Sequence, residues 1–64
     1  MKKTVREMIK LLEADGWFLF SQKASHKHFR HPTKKGKVTV PDHGSSDELG
    51  HFIVDSILKQ AGLK

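Results

Sequence analysis

Val5, Met8, Ile9 and Leu12 recur at the i, i+3, i+4, i+7 spacing that places side chains on one stripe of a helix. Leu11 broadens the stripe, while Arg6, Lys10 and Glu13 fall on the opposite side. Thr4-Val5-Arg6-Glu7 has the form of a capping box, in which the Thr hydroxyl accepts from the Glu7 N–H and the Glu carboxylate reaches back. Gly16 supplies the left-handed residue that stops a helix. The pattern predicts a helix over residues 4–15.

Period two then replaces period 3.6. Trp17 to Gln22 is aromatic-rich and strand-like. Ala24 and Ser25 form a short connection, and His26 to His31 is polar around a central Phe29. Pro32 to Gly36 reads as a hairpin loop, and Lys37-Val38-Thr39-Val40-Pro41 alternates strictly up to its proline. Three segments joined by short loops predict an antiparallel meander. After a loop from Asp42, Ser45-Ser46-Asp47-Glu48 offers a second capping box. Leu49, Phe52, Ile53 and Ile57 follow at helical spacing, widened by Val54, Leu58 and Ala61 up to Gly62. Gly50 inside that pattern costs about 1 kcal/mol in a helix interior, which argues for a later start.

The order α-β-β-β-α predicts a two-layer α+β fold: a three-stranded antiparallel sheet with both helices covering one face. If Phe29 points at the helices, Lys27 and His31 share its side and His26, His28 and Arg30 share the open face. Inward Val38 and Val40 add Lys37 and Thr39 to that open face.

Composition sharpens the picture. The 64 residues suit one domain, 1–64, and a chain this short buries only about 60% of its unfolded surface, so a partner is a natural support. With no Cys, disulfides and thiol chemistry are excluded. The longest apolar run, Trp17 to Phe20, is far short of the ~20 residues of a membrane span, and no secretory signal is evident, so a cytoplasmic protein is expected. Twelve Lys and Arg against seven Asp and Glu give a net charge of +5. No acidic residue occurs from Gly16 to Pro41, where Lys23, Lys27, Arg30, Lys34, Lys35 and Lys37 gather. Segregation of one sign favours contact with phosphates.

His26, His28 and His31, with His43 and His51 further on, admit three readings. A metal site would need convergent ligands, but alternation divides these histidines between faces and no carboxylate lies in the segment. Plain surface histidines on a polar strand are the second. Acid–base cleavage of RNA is the third: imidazole moves the 2′-OH proton as that oxygen attacks the adjacent phosphate, and Lys or Arg meets the developing charge. That chemistry requires no cofactor. Trp17, Phe18, Phe20, Phe29 and Phe52 are candidates for base stacking, though most must be core, and Trp17 or Phe18 is favoured because only one of the two can point inward.

The chain resembles the HicA family of toxins from bacterial toxin–antitoxin systems. The resemblance rests on four blocks in order: Lys10 to Trp17, Ser25-His26-Lys27-His28-Phe29-Arg30-His31-Pro32, Val38 to Gly44, and Ser56 to Leu63. It implies a fold like that of a double-stranded-RNA-binding domain and a metal-independent messenger-RNA endonuclease of the stress response. It implies His26 as the catalytic residue, a HicB-like antitoxin that masks it, and assembly of the two into a larger hetero-oligomer. His28 is the second proton-transfer candidate by alternation, not by resemblance. The expected contacts to single-stranded RNA are Lys23, Ser25, Lys27, Arg30, Lys34, Lys35 and Lys37, with neither metal nor cofactor. Two departures stand out: Ala24 replaces the family's Gly, and His51-Phe52-Ile53 replaces a Pro-Gly-Thr at the last helix. A non-catalytic RNA-binding module of the same fold, and an interaction protein whose basic face meets an acidic protein, are the alternatives.

Overall fold

The computed structural model describes residues 3–44 and 47–64. Among these the order is β1 (Lys3–Thr4), α1 (Val5–Ala14), β2 (Phe18–Lys23), β3 (His26–Arg30), β4 (Val38–Pro41), β5 (Glu48–Leu49) and α2 (His51–Gln60). The capping box at α1 forms as its residues dictate. The Glu7 N–H donates to Thr4 Oγ1 at 3.1 Å, and the Thr4 N–H donates to Glu7 Oε1 at 2.8 Å. Val5, Met8 and Leu12 are buried.

Strands β2, β3 and β4 make the expected antiparallel meander, in the order β2-β3-β4. Phe29 of β3 and Val38 and Val40 of β4 face the helices and join Val5, Met8, Leu12, Trp17, Leu49, Val54, Ile57, Leu58 and Ala61 in a continuous core. Burying each large apolar side chain contributes about 1.5–3 kcal/mol before entropy is counted. The opposite sheet face is open.

Both helices end in the same way. At α1 the Gly16 N–H donates to Glu13 O and the Trp17 N–H to Leu12 O; at α2 the Gly62 N–H donates to Lys59 O and the Leu63 N–H to Leu58 O. These are two Schellman motifs, each with a glycine at positive φ, 104° at Gly16 and 71° at Gly62.

The second helix differs from its sequence expectation. The proposed capping box depends on Ser45 and Ser46, which lie outside the described residues. Glu48 and Leu49 are strand, paired with Thr4 and Lys3, and Gly50 is an N-cap with no side-chain hydrogen bond. A start at His51 sets a phase in which Val54, Ile57, Leu58 and Ala61 point inward. Phe52, read as part of the buried stripe, is consequently 80% exposed, and Ile53 is also exposed.

Candidate RNA-binding face

Cross-strand pairing arranges the open face in rows. Phe18 lies opposite Arg30, His28 lies between Ser21 and Thr39, and His26 lies between Lys23 and Pro41. Directly opposed residues of a ladder project to the same side, so these residues share one surface. The expected grouping of His26, His28 and Arg30 therefore follows from the register.

His26 is the first residue of β3, immediately after the two-residue connection Ala24–Ser25. Its ring is exposed and makes no hydrogen bond with the described residues. The neighbouring backbone is fixed, because the Asp42 N–H donates to Ser25 O and ties the turn to the end of β4. Ala24 takes φ +53°, a left-handed conformation that glycine adopts freely and alanine does not. The turn therefore holds a glycine-like geometry with a methyl group on it.

His28 is partly buried, and its Nδ1 lies 3.0 Å from Thr39 Oγ1. That contact orients the ring and leaves Nε2 for another partner. Arg30 is exposed and places its guanidinium carbon 5.0 Å from the centroid of the Phe20 ring, a cation–π arrangement. The Phe20 ring also sits 6.2 Å from that of His28.

Phe20 reaches this surface by alternation from Phe18, and a β-bulge follows it. Leu19 pairs with Phe29 but Ser21 pairs with His28, so one extra residue of β2 faces the ladder. The bulge re-aims Ser21, which strict alternation from Phe18 would send to the helix side, so that it too faces His28. The bulge is not legible in the sequence, whereas Phe20 stands among the aromatics open to base stacking. Of the two aromatics expected to divide between core and surface, Trp17 is 2% exposed and belongs to the core, whereas Phe18 is 50% exposed.

The cations divide into two groups. Lys23, Lys35 and Lys37 are exposed and form no ion pair among the described residues. Lys27 points to the helix side and pairs with Asp42 at 2.7 Å, and this hydrogen-bonded ammonium holds the Asp42 carboxyl below its usual range. Lys34 donates to Asp15 Oδ2 and, at 3.0 Å, to Ala61 O. Its contact with Asp15 likewise lowers that carboxyl. Lys34 is therefore held by the ends of both helices and stands apart from the open face.

His31 is likewise structural. Its Nε2 meets Asp15 O at 2.6 Å, its Nδ1 accepts the N–H groups of Thr33 and Lys34 at 3.1 Å each, and its ring packs edge-on to Trp17. Of the remaining histidines, His43 is exposed and His51 packs on Phe52. No three of the described His, Asp and Glu side chains converge as a metal site would require. No described helix is long and apolar enough to cross a membrane.

The arrangement joins two imidazoles, a guanidinium and a lysine with exposed aromatic rings on one flat surface. Such a surface can hold phosphates and move protons beside them. The family model for the HicA toxin of bacterial toxin–antitoxin systems matches residues 5–63. No curated protein matches the chain.

Proposed function

The chain belongs to the HicA toxin family of bacterial toxin–antitoxin systems, and on that footing we propose that it is an endoribonuclease that cleaves messenger RNA without a metal. His26 is the general base or acid. The single observation that carries the reading is the exposed His26 ring, opposite Lys23, on an open face that also presents His28 and Arg30.

In the reaction, the 2′-OH of one nucleotide loses its proton to an imidazole and the oxygen attacks the adjacent phosphorus. The bond from phosphorus to the next 5′-oxygen breaks, leaving a 2′,3′-cyclic phosphate, and the departing oxygen takes a proton from an acid. His26 and His28 are the two groups available for these transfers, and His28 presents Nε2 because Thr39 engages Nδ1. Arg30 and Lys23 stabilise the charge developing on the phosphate oxygens. Lys35 and Lys37 extend the field that attracts the polyanion and Ser25 lies beside His26, whereas Lys27, on the sheet's far side, is engaged by Asp42. An acidic HicB-like antitoxin, by covering this face, would both block His26 and support a small domain in the cytoplasm.

The test is His26→Ala, with folding checked by circular dichroism. The folded variant is expected to lose RNA cleavage and growth arrest and to keep RNA binding. Full cleavage by that variant would refute the assignment, and binding without cleavage by the unaltered protein would identify a non-catalytic RNA-binding module instead. Cleavage is expected to persist in chelator.

A further inference from the structure

Phe20 is 44% exposed although it is a large apolar side chain at the centre of a strand. A core role does not account for it, since the buried cluster lies on the other face of the sheet. Alternation from Phe18, which pairs with Arg30, puts it on the open face near His28, and Arg30 places its guanidinium over the ring. Phe18, opposite Arg30, supplies a second exposed ring beside it. An aromatic face flanked by a guanidinium and an imidazole is the kind of surface on which a nucleobase stacks while its phosphate meets the cation.

We infer that Phe20 is a stacking platform for an unpaired base of the RNA, with Arg30 on the adjoining phosphate. The inference rests on the endoribonuclease reading above and adds the residue that positions the single-stranded substrate. Bases inside a duplex keep their faces covered, so an aromatic platform on a flat sheet selects for splayed bases. The geometry suits the chemistry. One two-residue step of β3, about 6.6 Å, separates His28 from His26, so a base anchored at Phe20 sets which phosphate lies near the His26 imidazole. Phe20 is a positioning residue and does not itself transfer a proton.

The test compares Phe20→Leu, which keeps apolar bulk but loses the π-face, with Phe20→Trp, which keeps it. Binding of a short single-stranded 2′-O-methyl RNA, which cannot be cleaved, is measured alongside a duplex of the same sequence and a strand with one base removed. Phe20→Leu is expected to weaken single-strand binding roughly 5- to 150-fold, the range for losing one base–aromatic stack. Phe20→Trp is expected to restore it, the duplex to be indifferent, and the melting temperature to hold. Unchanged single-strand binding by Phe20→Leu would overturn the inference while leaving the nuclease reading intact, provided that the unaltered protein cleaves RNA and His26→Ala does not. Loss of antitoxin binding in place of RNA binding would assign Phe20 to the protein partner and overturn it. An unaltered protein that neither binds nor cleaves RNA would overturn both readings.

Discussion

His31 closes a hydrogen bond of 2.6 Å from its Nε2 to the backbone carbonyl of Asp15, the residue that caps the end of α1. With Nε2 on a carbonyl and Nδ1 accepting two backbone N–H groups, the ring is fixed in one orientation. His31→Ala is expected to lower stability by about 2 kcal/mol, because several hydrogen bonds and the packing on Trp17 disappear, while the folded fraction keeps its RNA cleavage. Urea unfolding monitored by Trp17 fluorescence measures the first, and a cleavage assay at low temperature the second.

Gly16 lies against that same ring. A Cβ there would stand 2.7 Å from His31 Nε2, and the φ of +104° strains any L-residue. Gly16→Ala is therefore expected to cost at least about 1–2 kcal/mol, larger than a typical helix C-cap exchange, because steric overlap adds to the backbone cost. A drop in melting temperature without any change in the activity of the folded protein is the predicted signature.

Acid should weaken the Lys34 and Lys27 ion pairs in a defined direction. Asp15 and Asp42 both have carboxyls lowered from the ordinary 3.8, chiefly by hydrogen bonds from Lys34 and from Lys27. A lowered folded-state value means stability that is fully present above the ordinary value and is lost as pH falls through the folded one. Melting temperatures of the unaltered protein are expected to fall below about pH 4, and those of an Asp15→Asn, Asp42→Asn double variant to vary less over the same range.

Ala24 carries a backbone conformation that suits glycine. Ala24→Gly removes the left-handed penalty but gives the unfolded chain more freedom, so a net gain of about 0.5–1 kcal/mol is expected. Chemical denaturation tests it. If stability instead falls, the Ala24 methyl group makes a packing contribution larger than the strain.

Salt separates the cations. Neutralising Lys23 or Lys37 should weaken RNA binding and reduce the salt slope by about 0.7 for each phosphate left without its cation. Lys34→Met should leave that slope unchanged and lower the melting temperature, because Lys34 already serves Asp15 and the Ala61 carbonyl.

Local signals carried most of the fold. Thr4 and Glu7 announced α1 because a capping box is complete within four residues, and alternation around Phe29 placed His28 and Arg30 on one face. What escaped were relationships between distant residues. Lys34 reads as an ordinary loop lysine because its partners Asp15 and Ala61 lie 19 and 27 positions away. The bulge at Phe20 has no glycine or proline to mark it. The β1–β5 pairing depends on Leu49 finding Lys3 rather than joining α2, a competition that helical spacing alone misjudged. The candidate site was legible where it followed β3's alternation and hidden where it needed the neighbouring strand.

Strand β3 thus has two unlike ends. Some 16 Å of backbone, about five residue steps, separates His26 from His31. At the latter, side chains fasten the ends of both helices; at the former, an imidazole contributes almost nothing to holding the chain together. Natural drift could therefore erase the chemistry without erasing the shape. On the endoribonuclease reading proposed above, a lineage released from cutting RNA would leave behind a well-formed, basic relic of the same shape.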